Sequence, residues 1–138
     1  MSHTVYIDSS GPWLVIEYEG AVDQERLVAS RAEAASLNAE GRVSDFILDF
    51  SAVTVFVLVP EGVERIAEID KARASVLKEG RCAIVTQRET VELGTSLLGA
   101  VSVLNLDFRA FQKRSEAEAW LRGELANPPP PLPRSSRR

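Results

Sequence analysis

The side chains able to do covalent or acid–base work are few in this sequence, and they are scattered. Asp8-Ser9-Ser10-Gly11 places two hydroxyls beside a carboxylate, which offers either a phosphoacceptor or a turn. A phosphoryl group is best accommodated at a helix N-terminus, where free N–H groups and the helix dipole favour it. The string instead leads into Pro12 and then WLVIEYEG, bulky and β-branched residues at strand period, so it reads as a hairpin loop. The single histidine, His3, reads as a loose terminal residue and leaves no Ser–His or Cys–His pair. Cys82 is the sole cysteine, which excludes an intramolecular disulfide; within RCAIVT it reads as a small core residue. Asp45 and Asp49 share a strand parity, but four residues apart they read as the ends of a buried run rather than an acid–base pair. Glu61 suits the first turn of a helix, where an acid complements the dipole. Gly94 and Gly99 do not directly follow a strand, so they form no phosphate-cradling loop. This inventory predicts no enzyme: no catalytic residue, no phosphorylation site, no metal site and no cofactor.

The elements that must carry these residues alternate between strand and helix periods. TVYID and WLVIEYEG are β-rich runs, and in the second Leu14, Ile16 and Tyr18 alternate with Trp13, Val15, Glu17 and Glu19. Asp23 is a helix N-cap, with Val22 and Leu27 spaced as a hydrophobic staple and Gly41 just past an alanine-rich helix over about 24–39. VSDFILDFS has the continuous apolar middle of a strand covered on both faces. Pro60 suits the first turn of a second helix, whose inward face is Val63, Ile66, Ala67, Ala74 and Leu77 and which Gly80 closes. RCAIVT is a further buried strand, residues 90–103 a weaker helical run, and LDFRAFQK a last strand. Ser115 and Glu118 form a Ser-x-x-Glu capping box opening a short helix that holds Trp120 and Leu121. The order is ββαβαβαβα, an α/β layer with about four helices against a mixed, mostly parallel sheet.

The chain has 138 residues and a net charge of −4, a size suited to one domain and a charge opposed to general nucleic-acid binding. Arg134, Arg137 and Arg138 are the only charges in residues 127–138; with those three set aside, residues 1–126 carry −7. We therefore read residues 1–126 as the folded domain and 127–138 as an extended, disordered Pro/Arg-rich tail. Its prolines and Arg134 do not keep the spacing of a common polyproline ligand. No signal peptide and no membrane-spanning apolar stretch is legible, so a cytoplasmic chain is expected.

Three strings in this order, DFILDFSAVT, GRCAIVT and FQKRSEAEAWLRG, resemble the STAS superfamily, the anti-sigma-factor-antagonist fold, over residues 4–124. Within it the chain resembles the SpoIIAA-like branch, which is akin to CRAL-TRIO lipid carriers. Switchable members carry Asp-Ser-Ser-Gly at the start of the helix after the strand that ends Asp-hydrophobic-Ser. Here Val57-Leu58-Val59-Pro60 stands in that place, so Leu58 occupies the phosphoacceptor position and the resemblance stops short of the serine switch. The resemblance implies a module that binds a protein or small ligand without enzymatic activity, or alternatively a carrier or sensor of a lipid or small apolar ligand. Open α/β sheets bind at the carboxyl ends of their strands, and the candidate surface there is Ser51, Thr54, Phe56, Leu58, Glu61, Thr86, Gln87 and Arg88. The apolar Phe56-Val57-Leu58-Val59 reads as core strand, with a binding lip as the alternative. The partner itself, a homodimer included, is left open.

Overall fold

A computed structural model of the chain describes residues 2–9, 11–40, 42–57, 80–87 and 106–131. Within them, five strands form one sheet in sequence order: β1 (Ser2–Asp8), β2 (Trp13–Val22), β3 (Asp45–Phe56), β4 (Gly80–Val85) and β5 (Leu106–Phe111). β1 pairs antiparallel with β2, and every later neighbour is parallel. β1 and β2 are joined by a turn that includes Ser9 and Gly11, where the Gly11 N–H donates to the Asp8 carbonyl at 3.2 Å. A Cβ on Gly11 would run into the Trp13 ring, so the turn needs glycine for space. The hairpin reading of this string therefore holds.

Among the described residues two helices cover the sheet, one on each face. α1 (Gln24–Leu37) starts where Asp23 Oδ1 accepts from the Arg26 N–H at 2.9 Å, the expected N-cap. It stops earlier than the periodicity predicts, because Asn38 turns back: its side chain donates to the Val43 carbonyl and accepts from the Val43 N–H. α2 (Arg114–Leu121) does not use the predicted capping box. The helix starts one residue before Ser115 and lacks a side-chain cap, and Glu118 is instead held by Arg114 at 3.1 Å. The helices expected over 60–79 and 90–103 lie outside the described residues. Parallel neighbours require a crossover connection, and the spans 57–79 and 86–105 are long enough to supply one each.

Strand alternation sorts the core into two layers. Leu14, Ile16, Tyr18, Phe46, Phe50, Cys82, Ile84 and Phe108 pack with Leu27 and Ala34 of α1. Trp13, Val15, Ile47, Ala83, Val85 and Phe111 pack with Ala117, Trp120 and Leu121 of α2. Cys82 is buried in the first layer, as its strand context implied. Gly80 opens β4, and a Cβ there would collide with the Ser44 backbone oxygen; the helix it was expected to close lies outside the described residues.

Candidate functional site

β3 carries twelve residues and β2 ten, and the mismatch falls at the carboxyl end. Glu17 stands opposite Asp49, yet Glu19 is opposite Ala52; Gly20 is opposite Val53, yet Ala21 is opposite Val55. β3 therefore bulges twice, once around Phe50 and Ser51 and once at Thr54. Such irregularities re-aim side chains at sheet ends. Gly20, at φ +77° beside the second bulge, adopts a conformation that other residues rarely take. The consequence is that Phe50 and Val53, three apart, both face the α1 core, while Ser51, Ala52, Thr54 and Val55 are exposed.

β4 accompanies β3 only from Asp45 to Asp49, where Val85 is its last partner. Among the described residues no strand lies against the other edge of residues 51–56. Val57 continues the pairing to β2 by donating its N–H to the Val22 carbonyl at 2.8 Å, and its side chain is 49% exposed; Val55 is 48% exposed. The start of the apolar run at 56–59 thus belongs to a strand, as expected, but its Val57 is at the surface rather than in the core.

The predicted surface residues divide accordingly. Ser51 and Thr54 are exposed on the bulged end of β3, and Gln87 is exposed and donates to the Gln112 carbonyl at 3.2 Å. Thr86 is not at the surface: it is 2% exposed, because its N–H continues the ladder to the Phe111 carbonyl and draws it into the sheet. Its hydroxyl has no hydrogen-bond partner among the described residues. Phe56 ends β3, and Leu58, Glu61 and Arg88 lie outside the described residues.

A polar cluster that the sequence reading missed closes the α2 side of the same end. Arg114, in the first turn of α2, donates to Glu17 and Asp49 at 3.1 Å each and to the Tyr6 hydroxyl at 3.0 Å. Tyr6 in turn donates to Glu17 at 2.8 Å. Burial opposes the Arg114 charge, but its bonds to Tyr6, Glu17 and Asp49 outweigh burial, so its proton is held more tightly than usual. Burial pushes the Tyr6 phenol up and Glu17 adds to this, against the opposing pull of Arg114. Ser51 joins the edge of the cluster, its hydroxyl 2.6 Å from Asp49 Oδ1. A cleft of about 200 Å³ opens here, lined by Thr4, Glu17, Tyr18, Glu19, Asp49, Ser51 and Ala52.

The remaining polar candidates serve the fold. Asp45, at the other end of the run from Asp49, binds Arg81 at 2.8 Å, so the two aspartates have separate partners. Arg81 also donates to the Trp120 and Leu121 carbonyls, satisfying the C-terminal end of α2. His3 is not loose. Its side chain is 9% exposed in β1, 2.7 Å from Glu33 through Nε2 and 3.0 Å from Arg26 through Nδ1. An arginine can only donate, so Nδ1 accepts and Nε2 carries the proton toward Glu33. The start of the proline run is tied down as well: Arg109, stacked 5.2 Å from the Trp120 ring centre, donates to the Pro129 carbonyl at 2.9 Å.

No protein-family model and no curated protein matches the sequence. Solved structures match its fold, two of them as follows. One is an uncharacterised protein of the DUF3478 family with a SpoIIAA-like fold from Shewanella loihica PV-4, at TM-score 0.59 and 16% identity, covering 87% of this chain and 92% of that one. The other is the anti-sigma factor antagonist SpoIIAA in its unphosphorylated form, at TM-score 0.56 and 16% identity, covering 88% of this chain and 99% of that one. The chain has the SpoIIAA-like fold. The α/β class and the mixed, mostly parallel sheet read from sequence stand with it, and the three resembling strings fall on β3, on β4 and across the end of β5 into α2. No described helix of this SpoIIAA-like chain is long and apolar enough to cross a membrane.

Proposed function

We propose that this SpoIIAA-like chain works by binding another protein at the carboxyl end of its sheet, without catalysis and without a serine phospho-switch. The observation that carries the reading is the second half of β3, which runs beyond β4 and holds Ser51, Ala52, Thr54, Val55 and Val57 at the surface. A strand that has no second neighbour among the described residues and carries exposed apolar side chains is suited to main-chain pairing with an incoming segment. The non-enzymatic reading is supported by how the candidate catalytic groups are engaged: His3 by Glu33 and Arg26, Asp45 by Arg81, and Asp49 by Arg114 and Ser51. The absence of a switch rests on Leu58 at the expected phosphoacceptor position.

The exposed Val57, first in the Val57-Leu58-Val59 string, also favours a second reading, an apolar lip for a lipid-like ligand. Native mass spectrometry of the chain purified from cells separates the two. The binding-module reading expects the bare chain mass or a protein complex. A retained small apolar molecule at stoichiometric amount would move the assignment to the carrier.

A further inference from the structure

We propose that residues 123–131 form a strap that clips the end of α2 to β5 through Arg109, and that this strap sets how firmly α2 holds Arg114 in its cluster. The inference concerns the seating of α2 and does not depend on what binds at β3.

A proline run in water is ordinarily an extended, solvated segment, because it has no N–H to donate and makes no hydrogen bonds within itself. Pro128-Pro129-Pro130-Pro131 is such a run in sequence, but the fold directs it back onto the domain. Gly123, at φ +76°, ends α2: its N–H donates to the Trp120 carbonyl at 3.0 Å, and the Glu124 N–H donates to the Ala119 carbonyl at 2.8 Å. That pair of bonds around a left-handed glycine reverses the chain at a helix end. Leu125 then packs on the layer that holds Phe111 and Trp120. Pro128 and Pro129 are partly buried, while Pro130 and Pro131 are exposed.

The clip is fixed from two other sides. Arg109 donates twice to Asp107, from Nε at 3.0 Å and from Nη2 at 2.9 Å, in the planar fork that orients a guanidinium. Its guanidinium carbon lies 5.2 Å from the centre of the buried Trp120 ring. Nη1 faces the strap and donates to the Pro129 carbonyl at 2.9 Å. A lysine here would keep the charge and lose both the fork and the stack.

α2 spans eight residues, too few for a stable helix alone, so its place depends on what packs and clips it. Its buried residues are Ala117, Trp120 and Leu121, toward the end where the strap attaches. Arg114 stands in the first turn, and through it α2 reaches Glu17, Asp49 and Tyr6. Loosening one end of so short a rigid element therefore loosens the cluster at the other.

Hydrogen exchange of the full chain tests this, beside Arg109→Lys and Pro128→Gly/Pro129→Gly. The glycines weaken docking by making the released strap more flexible and leave the core untouched; circular dichroism checks the fold. Each change should speed exchange of the α2 amides 117–121 about tenfold and leave the amides of 45–49 in β3 as they were. The Arg114 Nε–H, held by Glu118, should also exchange faster. Glycines added to Arg109→Lys should bring no further acceleration, because the clip is already gone. Unchanged exchange in α2 or at Arg114 overturns the proposal. So does equal acceleration in α2 and β3, or glycines that act as strongly without Arg109 as with it.

Discussion

The two halves of β3 are one strand in two situations. From Asp45 to Asp49 it is flanked by β2 and β4, its Phe46 and Ile47 are buried on opposite faces, and each terminal aspartate is held by an arginine. Beyond Asp49 it keeps β2 alone among the described residues, bulges twice, and turns Ser51, Ala52, Thr54 and Val55 outward. Apolar character alone does not make the difference, since Phe46, Ile47 and Leu48 in the first half are matched by Val53, Val55 and Phe56 in the second. What separates them is where β4 stops. The half bordered on both sides is scaffold; the half with one described neighbour is where we propose that a partner binds.

Truncating matched aliphatics should expose the contrast most strongly. Ile47→Ala, in the closed half and fully buried, is expected to cost about 2–5 kcal/mol. Val55→Ala, in the open half, should stay within about 0.5 kcal/mol. Urea denaturation of both variants measures this, and equal losses would erase the distinction between the halves.

Arg114 marks the boundary between them. Arg114→Met leaves Glu17 and Asp49 without their shared cation, and we expect a loss of about 2 kcal/mol, reduced from the fully buried case because Glu17 reaches solvent. The loss should shrink when the double variant Arg114→Met/Glu17→Gln removes one of the stranded charges, which a double-mutant cycle reads directly.

Tyr6→Phe is the smallest change, about 0.5–1 kcal/mol near neutral pH. Its informative readout is the alkaline limb. The folded-state pKa of Tyr6 is raised, so its contribution is complete below the ordinary value near 10 and is lost as pH climbs through the folded value. The wild-type stability should fall over that window more steeply than that of Tyr6→Phe, as equilibrium unfolding at a series of alkaline pH values would show.

The contrast also explains what could be read in advance. Period-2 alternation in WLVIEYEG and LDFRAFQK placed β2 and β5, and Asp23 with its staple placed α1, because those signals are local. The Arg114 cluster was invisible because its partners lie far off in the chain: Glu17 is 97 residues away and Tyr6 is 108. His3 was misread for the same reason, since Glu33 and Arg26 belong to a helix that only the fold brings to β1. Thr86 ends RCAIVT, the run read as a buried strand, and was assigned to the surface outside the strand's carboxyl end, yet one further backbone bond keeps it inside. The extension of β3 to Phe56 was hinted at by its β-branched residues. Its open edge was not, because where β4 ends relative to β3 is a matter of register.

Hydrogen exchange along β3, in a solution dilute enough to hold the chain monomeric, tests the central claim most directly. Amides of residues 45–49 should exchange among the slowest in the sheet, while in residues 51–56 those turned away from β2 should exchange orders of magnitude faster. Uniformly slow exchange from residue 45 to 56 would mean the second half is already covered within one chain, and would contradict the account.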